Sequence, residues 1–256
     1  MTPHRLPHLP PARLLAIGLI TMTWLVSATA GLAAEFTAAQ RAEIVTVLRD
    51  ALRKDPSILR DAIEAMRADE SRQQAESARA AIAATRGELT NPADYVAGNP
   101  RGDVTVVEFF DIRCGYCRKL QPAMAELLRS DPNVRLVLKD LPILGPASVL
   151  GAKALLAAQI QGGYGKLRDV LMTQGAPPTR DSIRSDAQRL GLDADRLLKD
   201  MDSPAVAARI DANLALAARL GIQGTPAMVI GDVLIPGAVE VADLQQSVQQ
   251  ARAARR

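Results

Sequence analysis

Both cysteines of this 256-residue chain fall in one tetrapeptide, Cys114-Gly115-Tyr116-Cys117. Two thiols at this spacing can close and reopen a disulfide, and the segments around them decide which thiol attacks. The run Val104-Thr105-Val106-Val107-Glu108-Phe109-Phe110 reads as a buried strand, while Leu120, Ala123, Met124, Leu127 and Leu128 recur at helical spacing. Cys114 is therefore expected at a helix N-terminus, where unpaired N–H groups and the helix dipole favour a thiolate, with positive charge added by Arg113, Arg118 and Lys119. Cys117, one turn into the helix, is expected to be more buried. It becomes the resolving partner, closing the disulfide when Cys114 is held in a mixed disulfide with a substrate.

Other uses of a cysteine pair fit less well. A structural zinc site needs two further ligands, and the only histidines, His4 and His8, lie in a segment expected to be removed. A purely structural disulfide here would close a tiny loop and constrain the unfolded chain little. No metal and no cofactor is expected for exchange itself, although a reduced dithiol can also capture a soft cation such as Cu(I). Residues 1–30 read as a signal peptide: Arg5 and Arg13 precede an apolar run from Leu14 to Val26, and Ala28-Thr29-Ala30 offers a small-x-small cleavage site. The alternative is a retained anchor, since Leu14 to Ala34 is just long enough to span a bilayer. Cleavage puts the mature chain in the periplasm, where a spare thiol is a liability for a protein that exchanges disulfides. The formal charge of +3 owes much to Arg5 and Arg13, aromatic residues are only 3%, and there is no basic run, so nucleic acid is not an expected partner.

Thr37 to Gln40 fits a capping box, and Ile44, Val47, Leu48, Ala51 and Leu52 then form one apolar stripe. Asp55-Pro56 starts a second helix, with Ile58, Leu59, Ala62, Ile63 and Met66 as its stripe. From Asp69 to Arg86 helix propensity stays high while large apolar residues vanish except Ile82. Narrow stripes and a long polar extension predict an arm at 35–88 that pairs between subunits, making a homo-oligomer through residues 35–86, with a helical hairpin packed on the chain's own main domain as the alternative. Residues 87–102, rich in Gly, Asn and Pro, read as linker and entry loop. Pro122 is expected to kink the helix after the cysteines. Val134-Arg135-Leu136-Val137-Leu138 predicts a second strand, parallel to the first. Five helical patterns between 147 and 220 predict an inserted helical subdomain at about 146–221. Ala227 to Ile230, a Gly231-Asp232 turn, Val233 to Ile235 and a helix from Val241 complete the order.

That order, with Glu108-Phe109-Phe110-Asp111 leading into the cysteines, Leu141 to Pro146 after the second strand and Gly224-Thr225-Pro226 before the hairpin, resembles the DsbA-like branch of the thioredoxin superfamily over about Tyr95 to Val248. The helical arm is similar to that of ScsC-like periplasmic proteins in this branch. The resemblance implies an α/β thioredoxin fold with an inserted helical subdomain, occupying 89–256 and preceded by an N-terminal α-helical arm. It implies a cis bond before Pro226, facing the cysteines, with Thr225 backbone groups free to pair with an extended substrate. It also gives Glu108, six residues before Cys114, the place of a buried acid under the resolving cysteine, able to shuttle the Cys117 proton.

The expected activity is thiol–disulfide exchange in exported proteins, with Cys114, Cys117, Glu108 and Pro226 catalytic and with Thr225 and Tyr116 touching the substrate. Partners are cysteine-containing exported proteins and a membrane redox protein. The central Gly115-Tyr116 departs from the Pro-His of strongly oxidising DsbA proteins and matches DsbC-type isomerases, and Thr225 leans the same way. Isomerase or reductase is thus expected, with a DsbA-type oxidase or a Cu(I)-binding dithiol of copper tolerance as alternatives.

Overall fold

The computed structural model describes residues 36–254, so the expected signal peptide lies outside the described residues. The chain divides into two compact units between Arg60 and Asp61. In the first, the helix α1 (Ala38–Lys54) opens on the expected capping box: Gln40 N–H donates to the Thr37 hydroxyl, and the Gln40 side chain accepts from Thr37 N–H. No residue of α1 is buried. Asp55 accepts the Ser57 N–H at 3.0 Å, and α2 (Ser57–Ala84) follows.

The second unit is built on a five-stranded sheet. Its strands are β1 (Tyr95–Gly98), β2 (Val104–Phe110), β3 (Val134–Asp140), β4 (Ala227–Ile230) and β5 (Val233–Pro236), in the spatial order β1-β3-β2-β4-β5. Strands β2 and β3 are parallel and every other pairing is antiparallel. The connection from β2 to β3 is the helix α4 (Gly115–Ser130), which continues through Pro122. Gly231, at φ 61, turns the hairpin between β4 and β5.

Alternation along β2 assigns its two faces. Val106 and Phe110 join one core with Cys117, Leu120, Met124 and Leu127 of α4, while Val107 and Phe109 join a second core on the opposite face. The helical insertion is α5 (Pro146–Ile160), α6 (Tyr164–Thr173), α7 (Arg180–Arg189), α8 (Ala194–Asp200) and α9 (Pro204–Arg219). Its members are separated by side-chain caps: Thr179 accepts from Ser182 N–H, Asp193 from Arg196 N–H and Ser203 from Val206 N–H. Helices α5 to α8 close the first core, joined by the last helix, α10 (Val241–Ala253). Leu216 and Ala217 of α9, with Leu220 just after it, close the second.

Two sequence expectations change. Residues 87–102 are not merely a linker: they hold β1, which pairs with β3 from Tyr95↔Leu138 to Gly98↔Arg135. The short helix α3 (Arg86–Leu89) precedes it. Only four residues long, β1 is too short to show a period, and its neighbours are turn formers. Packing also changes earlier than the expected arm boundary at 88. Ile82 and Leu89 are buried in the second core, and Lys139 donates to the Glu88 carbonyl at 2.6 Å while pairing with Asp94 at 2.5 Å. The last turns of α2 are therefore part of the second unit's core.

Candidate active site

Cys114 is the N-cap of α4, in extended conformation at φ −74 and ψ 118, so the chain turns from strand to helix at its sulfur. Its Sγ accepts the Cys117 N–H at 3.3 Å, which satisfies one of the open donors of the first turn. On its other side the Cys114 thiol donates to the Thr225 carbonyl at 3.1 Å, across 111 positions of sequence. The Thr225–Pro226 bond is cis, and Pro226 is buried. Both cysteines are free thiols. Cys114 keeps 6% of its surface open and Cys117 none, the asymmetry expected from their positions.

Burial pushes the Cys117 thiol far above its ordinary range, and the nearby Cys114 raises it further. The Asp111 backbone and the Thr225 side chain offset a small part of that rise. The Thr225 hydroxyl is buried on the Cys117 side of the site. Arg113 reaches the Gly175 carbonyl at 3.1 Å, Arg118 the Ile112 and Arg113 carbonyls at 3.5 Å, and Lys119 lies 5.2 Å from the Tyr116 ring centre. The sulfur's own hydrogen-bond partners are thus backbone groups.

Tyr116 is exposed and, with Lys119, Pro122 and residues 238–241, lines a groove of about 460 Å³. Thr225 and Pro226 line another, of about 880 Å³, whose far wall is the polar stretch of α2 at Gln73, Gln74 and Ser77. Glu108 sits deeper. It points to the same face of the sheet as Cys117, pairs in register with Leu138 and Met228, and is 1% exposed. Burial raises its carboxyl, with the Arg168 guanidinium at 3.6 Å opposing.

The structure therefore joins Cys114 to Cys117 and to Thr225 by direct contact, with Pro226 bound to Thr225, and leaves Tyr116 exposed and Glu108 buried within β2. Asp111 was missed as a site residue. Its carboxylate accepts Arg113 N–H at 2.8 Å and Ile143 and Leu144 N–H at 3.0 Å, and its carbonyl accepts Cys114 N–H at 3.0 Å. It ties the cysteine turn to the loop after β3. The signal for it was an acid at a strand-to-helix turn, where Asx hydrogen bonds are expected. Arg168, whose guanidinium faces Glu108, was missed too.

Comparison with known proteins agrees with this fold. The chain is similar to a thioredoxin-like oxidoreductase of Silicibacter pomeroyi, at 44% identity and a TM-score of 0.63 over 66% of this chain and 98% of that one. It is also similar to Proteus mirabilis ScsC in a transitional conformation, at 29% identity and a TM-score of 0.63 over 86% of this chain and 100% of that one. Among curated relatives, the Na(+)/H(+) antiporter NhaA 1 of Salinispora arenicola is 31% identical over 165 residues, 64% of this chain. The chain spans 25% of that protein's length. Among the described residues no helix is long and apolar enough to cross a membrane. The family model of the DSBA-like thioredoxin domain matches residues 105–249, from β2 into α10 and more than half of the chain. With its parallel β2–α4–β3 unit, cysteine N-cap and helical insertion, the chain belongs to the DSBA-like thioredoxin domain family.

Proposed function

We propose that this protein is an exported thiol–disulfide oxidoreductase acting on cysteine-containing exported proteins, with Cys114 as the attacking thiol and Cys117 as the resolving one. The observation that carries the reading is the Cys114 sulfur held between the Cys117 N–H and the Thr225 carbonyl at the start of α4, with a small part of the residue still open. A thiolate there meets an open donor, and a mixed disulfide there lies beside backbone groups able to pair with an extended chain. Grooves on both sides of the sulfur suit a polypeptide substrate better than a small disulfide. Pro226 holds Thr225 in place, Tyr116 offers an exposed ring to the incoming chain, and Glu108 takes the proton of Cys117. A membrane redox protein, meeting the same surface, is the proposed source or sink of electrons.

Isomerase or reductase work is favoured over net oxidation. Gly115-Tyr116 and Thr225 support that leaning, and so do exposed apolar stripes: Ile44, Val47, Leu48 and Leu52 on α1, then Ile58, Leu59, Ile63 and Met66 on α2. Stripes of this kind bury themselves by pairing with other copies of the chain, and an assembly with several reduced sites can hold a misfolded substrate while its bonds are remade. The test is insulin reduction and reshuffling of a scrambled disulfide substrate by the mature protein, beside the reduction potential of the pair. Both activities should vanish in Cys114→Ser, and a potential in the reducing range is expected. Full turnover by that variant would remove the reading. A strongly oxidising potential with no reshuffling would transfer it to the oxidase.

A further inference from the structure

The groove on the Thr225 side of the redox pair has a wall that the sheet does not supply. Its floor runs from the end of α9 through Gly224, Thr225 and Pro226 to Pro236 of β5. Its wall is α2, through Glu70, Gln73, Gln74, Ser77, Ala78 and Ala81. Those positions recur at intervals of three and four, so they share one face of the helix. At its C-terminal end the face is docked, with Ala81 packed against the second core beside buried Ile82. The part from Glu70 to Ser77 continues past that contact and stands over the groove without a large apolar side chain.

The wall is held in place and the floor is left open. In α3, directly after α2, Arg86 pairs with Asp232 of the β4–β5 turn at 2.5 Å, and Glu88 pairs with Arg219 of α9. Exposed pairs contribute little stability, but together with buried Ile82 they fix the direction in which α2 leaves the sheet. On the floor, a Cβ at Gly221, Gly224 or Gly237 would meet nothing within 4 Å. Gln73 donates to Asp69 at 2.9 Å, whereas Gln74 and Ser77 make no side-chain hydrogen bond among the described residues. An amide and a hydroxyl each donate and accept, which suits the N–H and C=O groups of an extended peptide whatever its side chains. Of the two charged residues on the lining, Arg219 is taken up by Glu88, and Glu70 is in no ion pair among the described residues.

We propose that this face of α2 is a specificity-determining wall of the exchange site, receiving extended polypeptide that continues from a cysteine held at Cys114 and favouring Lys or Arg at the Glu70 end. The inference rests on the exchange reading given above and names the substrate class of that site: unfolded chain with basic residues near its cysteine. Continuity carries it. The Thr225 carbonyl that accepts the Cys114 thiol belongs to the floor of the same groove, so one end of a chain held at the sulfur runs on beneath α2. From Glu70 to Ser77 the wall is about 10 Å long at the helical rise, which matches about three residues of extended chain.

The test is the first turnover of the reduced mature protein with a synthetic peptide that carries several residues on each side of a cysteine joined by a disulfide to a small thiol. Each turnover reduces that disulfide to two thiols and oxidises Cys114 and Cys117 to theirs, and the rate against peptide concentration gives half-saturation. Gln74→Ala with Ser77→Ala should raise the half-saturating concentration about three- to tenfold, the usual effect of losing one or two hydrogen bonds, with little change in the rate at saturation. Ser77→Trp, which fills the groove, should raise it further. Toward hydroxyethyl disulfide, which has no peptide backbone, each loss should be several-fold smaller. At low salt the wild type should prefer lysine-flanked to glutamate-flanked peptide, and Glu70→Gln should remove that preference. Arg79→Ala, on the opposite face of α2, should behave as wild type. All these side chains are exposed, so the variants should fold normally. Unchanged half-saturation in both the double variant and Ser77→Trp, or equal losses with the two disulfides, would overturn the wall. A wild type indifferent to peptide charge would overturn the role of Glu70. No exchange by the wild type with either disulfide would instead remove the oxidoreductase reading.

Discussion

At the scale of single residues, position in the strand-to-helix turn sorts the two cysteines. Cys114 has an open edge and a backbone donor, while Cys117 is fully enclosed and its thiol is pushed up by burial. Iodoacetamide at pH 7 should label Cys114 about tenfold faster or more, read by mass spectrometry. Equal labelling would reverse the roles. Asp111 holds the same turn by accepting three N–H groups, two of them from the loop after β3. Orphaning buried donors costs about 1–3 kcal/mol each, so Asp111→Ala should lose roughly 2–4 kcal/mol in urea unfolding and slow exchange as well. Asp140 carries a pH signature. Burial raises it to about 7 from the ordinary 3.8, so the native protein keeps a proton that the unfolded chain releases across that range. Stability should therefore fall as pH rises from about 4 to 7, by at most about 1.4 kcal/mol per pH unit from this group. Buried Glu108 acts in the same sense. Asp140→Asn should flatten the decline in urea midpoints between pH 4.5 and 8, and an unaltered slope would show that Asp140 is ionised in the native state.

At the scale of elements, the end of α2 belongs with the sheet. Ile82 is 1% exposed and packs in the core of Val107, Phe109, Val137 and Leu220. Ile82→Ala should cost about 2–5 kcal/mol in urea unfolding. The same packing sets where the arm can be cut. Deleting 35–76 should leave the second core covered, whereas deleting 35–86 removes Ile82 and Thr85 and should lower the melting temperature sharply. Equal melting of the two truncated proteins would return the boundary to residue 88. The five residues before β2 show how local signals fail: Asn99, Pro100 and Gly102 announce a turn, yet β1 lies directly ahead of them, held by the pairing Tyr95↔Leu138 and its neighbours.

At the scale of the whole molecule, the apolar residues of α1 remain uncovered, since none of that helix is buried. Sedimentation velocity should find the mature protein oligomeric. Leu48→Asp, which places a charge in the α1 stripe, should shift it toward monomer, keep insulin reduction and abolish reshuffling of scrambled substrate. A native oligomer in that variant would remove α1 from the interface. Much of this protein was readable from residues alone because its signals are local. The cysteine pair between an apolar strand and an amphipathic helix, the caps at Thr37, Thr179, Asp193 and Ser203, and the turn at Gly231 each depend on neighbours a few positions away. Only the tertiary structure could bring Thr225 to Cys114 at hydrogen-bond distance, join Asp111 to the loop at Ile143, and set Tyr164 against Asp140 and Arg168 against Glu108. Those contacts span many positions of sequence, and nothing in the spacing of a lone acid, tyrosine or arginine tells which partner the folded sheet will set beside it.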